Sequence, residues 1–415
     1  MEHKTCQKYA VDNSSLLYLS LIRKDHTNIF RFTMTLTEEV CPDTLQQAVD
    51  RVYRRFPTVI AGFYPGFFHY IQVPAKTPPQ VQPDPGCLIT MTREEISRCA
   101  YRVYYSGNAI MIEAFHALTD GYGAIACFTT LVAEYLRLKH GVRIPAVNTL
   151  IDLEQAPASY EVVDSYLEYE TGKPMLIPNR QAYQLPGSNP TGKGVRSFRF
   201  LLPTKQLLDT GHRYGSSMTT LLSSIMAEAI MEIQKRTVSK RVKPVRIMVP
   251  VDLRRMFPSK TLRNFILYAL PTMEPQDSGK PFQELLRSFG QQIRTEIESS
   301  RMASIMAYHV KAQHNWLFRH IPLIMKCAFM RLVYQFCGEV NSSVTVTNLG
   351  NITLPEEMAA YVKDIDVTLT PRRRSQYNCG IISYGGKVSI NISRFRREPD
   401  LETVFAQKLN AVLQG

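Results

Sequence analysis

Two residues that could do chemistry, His116 and Asp120, lie four positions apart in the stretch FHALTDG, positions 115–121. An imidazole has a pKa near neutrality and can take the proton of an alcohol or amine that attacks a carbonyl group. For this role the ring must be held rigidly, with one nitrogen fixed and the other facing a cavity. The pattern indicates a general base at His116, with Asp120 orienting the turn. A simpler alternative stays open, in which Asp120 caps a helix and His116 is an ordinary strand-end residue.

Other common catalytic patterns are absent from the sequence. No G-x-S-x-G elbow occurs, so a serine acyl-enzyme is not required. No C-x-x-C pair and no H-E-x-x-H motif occur, so we expect no metal site. The run GSNPTGKG, positions 187–194, matches G-x-x-x-x-G-K but lacks the Ser or Thr that a phosphate-binding loop places after its lysine. This run predicts the end of a flexible linker. Direct transfer of an acyl group from a thioester to a base-activated nucleophile is the simplest remaining scheme.

The sequence predicts the elements that would hold the histidine. YRVYYSGNAIMIEAF, positions 101–115, predicts a hairpin that turns at positions 106–108. Over positions 121–140 apolar residues recur at helical spacing, and Gly141 is a typical residue to end such a helix. His116 is thus expected between the end of a strand and the start of a helix.

The rest of the chain forms two halves of alternating strand and helix patterns. A strand over positions 28–37 and a helix from Pro42 precede the hairpin. A polar, proline-punctuated stretch at about 152–194 predicts a crossover linker. Strands and helices then resume, with long helices at about 282–336 and a closing hairpin that turns at positions 385–386. We therefore expect two α/β halves.

Bulk composition limits the classes of function. At 415 residues the chain is long for one core and suggests two domains of roughly 200 residues each. The net charge of +13 implies acidic partners such as a phosphorylated cofactor, an acidic carrier protein, nucleic acid or anionic lipid, and does not choose among them. The N-terminus has no apolar signal region and the eight cysteines are scattered, so we expect a cytoplasmic protein.

Two further segments bear on partners. IPLIMKCAFMRLVYQF, positions 321–336, is interrupted by Lys326 and Arg331 and is too short to span a bilayer. It predicts a buried helix, with a partly membrane-facing helix as the alternative. Basic clusters at 372–374 and 394–397 lack any recognised nucleic-acid-binding module, so we expect no nucleic acid partner.

Several segments resemble the coenzyme A-dependent acyltransferase superfamily. FHALTDG is similar to its H-H-x-x-x-D-G motif, which is shared by chloramphenicol acetyltransferase, plant BAHD enzymes, alcohol acetyltransferases, polyketide-associated acyltransferases and condensation domains. DTLQQAVDRVYRRFPTV, VPVDLRRMFPSKTLRNF, TVTNLG and GIISYGGKVSINIS resemble softer patterns of the same superfamily. The likeness covers most of the chain, and only H-x-x-x-D-G is specific.

The resemblance implies a fold and a division of the chain. It implies two chloramphenicol-acetyltransferase-like α/β subdomains in a V-shaped arrangement, with an active-site tunnel between them. The first subdomain, which carries H-x-x-x-D-G, would cover positions 1–155. Positions 156–194 would form the crossover linker, and positions 195–415 would form the second subdomain.

The resemblance also implies roles for individual residues. His116 matches the catalytic general base, and Asp120 matches the aspartate of the catalytic motif, which an arginine from the other half holds in place. Arg254 lies where that arginine is expected, and Gly121 would let the chain turn closely at the site. Phe115 stands where many members have a first histidine, and this change is expected to alter substrate fit more than chemistry.

The remaining candidates concern the substrates. Tyr122 is a candidate substrate-binding residue, and Asn348 would either polarise the reacting carbonyl or hold the end of a strand. Arg372, Arg373 and Arg374 are candidates for binding the donor, because coenzyme A carries several phosphate charges. Acyl-CoA is expected as a co-substrate, with no tightly bound cofactor.

These expectations favour a stand-alone, alcohol-acetyltransferase-like enzyme that moves an acyl group from acyl-CoA to a hydroxyl, or less readily an amine, of a small molecule. A carrier-protein-dependent condensation-type enzyme and a non-catalytic binding protein of the same fold are the alternatives. Peripheral membrane contact and a monomer or small oligomer both stay open. The sequence does not specify the acceptor or the acyl chain length.

Overall fold

A computed structural model of the protein describes residues 7–24, 26–169, 172–188, 194–237 and 242–415. Positions 189–193, in the run that matches G-x-x-x-x-G-K, lie outside these residues. Within the described residues fifteen strands and thirteen α-helices alternate along the chain. The α/β class predicted from the sequence is therefore confirmed.

The first half of the chain forms the elements that surround the histidine. Its strands and helices in the described residues are β1 (Tyr9–Ala10), α1 (Asn13–Ser20), β2 (Ile29–Leu36), α2 (Pro42–Val52), β3 (Ala61–Pro65), β4 (Tyr70–Pro74), β5 (Val81–Pro83), α3 (Arg93–Arg98), β6 (Tyr101–Ser106), β7 (Ala109–Phe115), α4 (Gly121–His140) and α5 (Ser159–Val162). Helix α4 begins where Asp120 caps its first turn and ends where Gly141 takes a left-handed conformation, with φ of 70°.

The second half begins after the linker. Its strands and helices in the described residues are β8 (Arg196–Pro203), α6 (Thr204–Arg213), α7 (Met218–Arg236), β9 (Val245–Asp252), β10 (Ile266–Ala269), β11 (Thr272–Met273), α8 (Phe282–Glu296), α9 (Ser299–His314), α10 (Trp316–His320), α11 (Leu323–Val333), β12 (Val344–Asn351), α12 (Glu356–Ala359), β13 (Val362–Leu369), β14 (Tyr377–Tyr384), β15 (Lys387–Arg394) and α13 (Asp400–Gln414). The long helices and the closing hairpin lie where the sequence predicted them.

Three sheets organise the described residues. A five-stranded sheet has the order β13-β2-β7-β6-β5 and carries the histidine at the end of β7. The larger sheet runs β10-β9-β12-β14-β15-β8, with β11 paired to β9, and β1, β4 and β3 form a small third sheet. One large apolar cluster packs around the five-stranded sheet and also contains residues from the second half of the chain, such as Leu262 and Ile382. A second packs around the larger sheet, and a smaller third cluster contains Phe265 and Met306. The two large clusters, each with its sheet, form two α/β units.

Strand β13 connects these two units. It comes late in the chain but pairs antiparallel with β2, with Val362 opposite Leu36 and Leu369 opposite Phe30. On β13, the Asp366 carboxylate accepts hydrogen bonds from side chains of Ser389 (2.7 Å) and Asn391 (2.9 Å) on β15. The sequence analysis placed β13 in the second subdomain and did not predict that it pairs with β2. Pairing between distant segments leaves no local sequence pattern.

The segment at 321–336 differs from its prediction. Helix α11 packs against α1 through Cys327 and its neighbours, and its opposite, apolar face is exposed. The prediction of a buried helix is therefore wrong: hydrophobicity favours burial, but whether a helix is covered depends on the elements that fold against it. Among the described residues, no helix is both long enough and apolar enough to cross a membrane.

Candidate active site

His116 follows the last residue of β7 and lies against two aromatic rings. Its backbone N–H donates to the Asn28 carbonyl (2.8 Å), which extends the pairing between β7 and β2 by one residue. The imidazole stacks on the Tyr18 ring, with centroids 4.5 Å apart and planes 19° from parallel. The Phe30 ring meets it edge-on at 5.1 Å. These contacts hold the ring in one orientation, which a general base needs.

The two nitrogens of this imidazole have different surroundings. Nδ1 is buried and has no partner of regular hydrogen-bond geometry among the described residues, while the residue as a whole is partly exposed. Nε2 is thus the nitrogen that can face a substrate. Burial lowers the pKa of His116 below its usual 6.5, and its own backbone carbonyl, Asp120 and Asn264 oppose the shift. The imidazole is therefore neutral near pH 7, the form that can accept a proton.

Asp120 is committed to structural contacts. Its Oδ1 accepts the backbone N–H groups of Tyr122 (3.1 Å) and Gly123 (3.3 Å), which caps α4. Its Oδ2 accepts Arg254 Nη1 (2.8 Å) and the backbone N–H of Phe265 (2.9 Å). Four donors surround the carboxylate, two from each half of the chain, so it holds the turn after His116 to the second half.

Arg254 uses most of its guanidinium to fix the loop that faces Asp120. Besides Asp120, it donates to the carboxylate of Asp252 (2.9 Å) and to the carbonyls of Thr261 (2.9 Å) and Arg263 (2.8 Å). Its side chain is 6% exposed, and the guanidinium lies over the Tyr122 ring, 4.5 Å from the centroid. The planar guanidinium of arginine presents several N–H donors in a fixed arrangement, which the ammonium group of lysine cannot do. The structure thus brings together the pair that the sequence analysis expected to meet, and their roles in activity remain predictions.

Asn264 is a positioning candidate that the sequence analysis did not select. Its Nδ2 donates to the His116 carbonyl (3.0 Å), and its Oδ1 is buried without a partner of regular geometry among the described residues. It comes from the same loop as the Phe265 N–H that binds Asp120. One loop of the second half therefore fixes both the backbone of the histidine and the carboxylate beside it.

Helix α1 covers the site from the other side, and no pattern in the sequence indicated this. Ser15 Oγ donates to the Ala117 carbonyl (2.6 Å), immediately after the histidine. Asp12 caps the helix through the Ser15 N–H (2.7 Å). One turn later the helix carries Tyr18, the residue that stacks on the imidazole. The only available signal was a capping residue before a helical segment, which does not say where the helix packs.

Two glycines allow the close approach of the halves. A Cβ on Gly121 would lie 2.4 Å from the end of the Leu349 side chain, which can move. A Cβ on Gly123 would lie 2.1 Å from the backbone carbonyl oxygen of Leu262, which cannot. Gly121 matches the motif, but Gly123 has the stricter steric requirement.

The remaining candidates lie in different surroundings. Phe115 is fully buried and packs on Phe63, so it is a core residue in this structure and not part of an open pocket. Tyr122 is exposed at its edge and stacked under Arg254. Asn348 donates to Thr219 Oγ1 (2.9 Å) and accepts the Gly350 N–H (2.9 Å), contacts that hold a strand end. Its role in polarising a carbonyl stays a prediction.

The three adjacent arginines do not form one surface. Arg372 is buried and donates to the Gly338 carbonyl and to Ser342 Oγ. The side chains of Arg373 and Arg374 are exposed, and the Arg374 backbone N–H donates to Glu339 (3.0 Å). The run was expected to act as a group, but Arg372 is buried while its two neighbours are exposed.

A small, open pocket lies beside these arginines. Its lining includes Arg23, Asn28, Arg331, Arg372 and Arg373. Asn28 is also the residue whose carbonyl accepts the His116 backbone N–H, so the pocket reaches the residue that pairs with His116. Within the described residues, no group of three His, Cys, Asp or Glu side chains could hold a metal ion.

We expect Arg254→Ala to destabilise the protein by about 3–5 kcal/mol, because it leaves the Asp120 carboxylate buried without its cation. Urea unfolding at neutral pH measures the change. Arg255→Ala is the matched control, since Arg255 is the next residue and is exposed. Equal stability of the two variants would contradict the structural role of the pair.

Comparisons with known proteins agree with this architecture. No family model matches the sequence, and no curated protein matches it. Among solved structures, a trichothecene 15-O-acetyltransferase from Fusarium sporotrichioides has a TM-score of 0.61 at 10% identity, with 98% of this chain and 94% of that chain covered. Polyketide synthase associated protein 5 from Mycobacterium tuberculosis has a TM-score of 0.58 at 14% identity, with 97% of each chain covered.

Carrier-linked synthetase domains are similar as well. The starter condensation domain of rhizomide synthetase has a TM-score of 0.55 at 13% identity, with 98% of this chain and 96% of that chain covered. Identities this low establish the fold alone, over nearly the whole chain. This chain therefore shares the fold of these acetyltransferase and condensation-domain structures, which is the fold that the resemblance in its sequence implied.

Proposed function

We propose that this protein is an acyltransferase that moves an acyl group from an acyl-CoA thioester to a hydroxyl group of a small molecule, with His116 as general base. The observation that carries the proposal is the neutral, rigidly held imidazole whose Nδ1 is buried while the residue stays partly exposed. Such a group can remove a proton from a nucleophile at neutral pH. An alcohol needs this help more than an amine does, because an alcohol is a weak nucleophile until its proton leaves.

The proposed reaction has two proton transfers through one nitrogen. We place the proton of the neutral ring on Nδ1, because Nε2 must be unprotonated to accept the proton of the acceptor hydroxyl. Nε2 takes the proton of the acceptor hydroxyl as its oxygen bonds to the thioester carbonyl carbon. The tetrahedral intermediate then expels the thiolate of coenzyme A, which takes the proton back from Nε2. The products are an ester and a free thiol, and the imidazole is neutral again.

The surrounding residues would support these steps without touching the substrates. Asn264 and Asn28 hold the backbone of His116 on two sides. Asp120 and Arg254 keep the following turn in contact with the second half. Tyr18 covers one face of the imidazole, so the ring cannot rotate freely. Each contact restricts the motion of His116 before the substrate binds, so less conformational freedom is lost during the reaction.

We further propose that the arginine-lined pocket receives the phosphates of the donor. Arg373 is exposed at this pocket, and Arg23 and Arg331 lie in the same lining. A cluster of cations raises the local concentration of a polyanion, and salt weakens the effect. This assignment replaces the run of three arginines: Arg372 lines the pocket but is buried and donates to groups of the protein itself, and Arg374 is not in the lining.

His116→Ala should lower turnover by about 10² to 10⁴, the usual contribution of general acid-base catalysis. Thiol release from a panel of acyl-CoA species with several alcohols and amines measures turnover and also identifies the accepted substrates. His212→Ala, which removes an exposed histidine on α6, is the control. Near-normal turnover in a folded His116→Ala protein would refute the mechanism.

The pH dependence of kcat/KM should reflect the lowered pKa of His116. The base is active when neutral, so activity should be constant through pH 7 and fall on the acid side with a midpoint below the usual 6.5. Measuring kcat/KM from mildly acidic to neutral pH tests this expectation. An acid limb with its midpoint above 6.5 would contradict it.

Arg373→Gln and Arg23→Gln should each raise KM for the acyl donor severalfold, leave KM for the acceptor nearly unchanged, and weaken the salt dependence of donor KM. Arg287→Gln, an exposed arginine on α8, is the control. If neither substitution changes KM for the donor, the donor binds elsewhere on the protein.

The same assay separates the proposal from its alternatives. A protein that uses only carrier-bound acyl groups would leave every acyl-CoA intact and release product from an acylated carrier protein. This alternative is supported by the condensation domains among the similar structures. A non-catalytic protein would release no thiol from either donor.

A further inference from the structure

The outward face of helix α11 is entirely apolar. Its exposed side chains follow helical spacing from the first turn to the last, and the face consists of Ile324, Met325, Ala328, Phe329, Leu332 and Val333. Ile324 is 84% exposed, and Phe336 continues the same face beyond the helix. A helix on the surface of a water-soluble domain normally shows the opposite pattern, with its polar side chains outward.

The two cations of this helix point inward. Lys326 is buried and donates to the carbonyls of Phe68 (2.9 Å) and Arg319 (3.0 Å). Arg331 Nε donates to the Ser20 carbonyl (2.6 Å). The protein thus uses its charged side chains to anchor the helix to neighbouring backbone and leaves the apolar side chains for another contact. Leu323 and Cys327 are also buried on the inward side, so this side carries both apolar and charged residues while the outward side is apolar.

Neighbouring segments extend the apolar face into one surface. Helix α10 adds Trp316, which is 70% exposed, and Leu317. The turn between β3 and β4 adds Phe67, which is 73% exposed, and it is joined to α11 by a hydrogen bond from the Leu323 N–H to the Phe67 carbonyl (2.8 Å). We call this surface, formed by the outward residues of α10, α11 and the β3–β4 turn, the apolar platform. Several large, exposed apolar side chains on adjoining segments are typical of an interaction site.

The charge around the apolar platform indicates what covers it. Positions 299–338 contain no aspartate or glutamate, whereas they contain five lysines and arginines. Of these, Lys326 and Arg331 point inward, whereas Lys311 and Arg319 are exposed. Arg319 lies between Trp316 and the start of α11, and the exposed His320 follows it. An apolar face with a tryptophan and a cationic rim matches the boundary between the acyl chains and headgroups of an anionic bilayer.

We propose that the apolar platform rests on the surface of an anionic phospholipid membrane, with α11 lying parallel to the bilayer and Arg319 near the headgroups. A second copy of this chain fits less well, because a two-fold interface would bring the same basic residues of both copies together. The proposal goes beyond the acyl transfer and does not depend on it. Because Arg331 and Tyr334 also line the arginine-lined pocket, docking would place that pocket close to the lipid.

Trp316 provides a direct measurement, because it is the single tryptophan of the chain. The full-length protein is titrated with vesicles of equimolar phosphatidylcholine and phosphatidylserine, and with vesicles of phosphatidylcholine alone. We expect the tryptophan emission to shift to shorter wavelength with the anionic vesicles, and the protein to float with them in a density gradient. Salt should weaken the binding.

Variants test the apolar and the cationic contributions separately. Ile324→Gln combined with Phe329→Gln should weaken binding to anionic vesicles by at least about tenfold. Arg319→Gln should weaken it by about fivefold, the effect of removing one cation near an anionic surface. Leu208→Gln combined with Phe198→Gln, which alters exposed apolar residues elsewhere, and Arg287→Gln are the controls and should bind normally.

The possible results divide clearly. An emission shift and flotation that are lost in the platform variants and kept in the controls support the proposal. Absence of binding to anionic vesicles overturns it, and so does equal binding to neutral vesicles. Sedimentation that shows a dimer abolished by the double platform variant, without vesicle binding, assigns the platform to a second copy and also overturns it. None of these measurements requires enzymatic activity, so their outcome does not depend on whether the proposed acyl transfer is correct.

Discussion

The site depends on one carboxylate that is shared between the two halves of the chain. Asp120 caps the helix that follows His116 with one oxygen, and with the other it binds Arg254 and the Phe265 N–H of the second half. Without this carboxylate the first turn of α4 would lose its cap, and the facing loop would lose an acceptor for two of its donors. The position of the histidine, the approach of Gly123 to Leu262 and the stacking of Tyr122 all follow from this contact.

Burial has a different consequence for each charged group in this region. The carboxylate and the guanidinium are buried together, so each offsets the cost of desolvating the other. The imidazole is buried on one side without a full countercharge, and its pKa falls as a result. This arrangement would suit proton removal at neutral pH, because Asp120 and Arg254 stay charged while His116 stays neutral and can accept a proton.

The sequence predicted the parts of this arrangement that have local causes. The hairpin before His116, the capped helix after it and the stop at Gly141 depend on nearby residues, and the structure has all three. The resemblance to a known motif also led to Arg254. Contacts between distant segments were not predictable in the same way: Tyr18 on α1, Asn264 on the facing loop and the exchange of β13 have no local pattern. The exposure of α11 was missed for a related reason, since an apolar sequence does not specify what will cover it.

We propose that His116 is a neutral base with its proton on Nδ1 and with Nε2 free for the acceptor. Nitrogen-15 NMR of histidine-labelled protein, assigned with the His116→Ala variant, measures both the tautomer and the pKa of this ring. We expect a neutral ring at pH 7, a pKa below 6.5, and a proton on Nδ1. A ring that is charged at pH 7, or a neutral ring with its proton on Nε2, would contradict it.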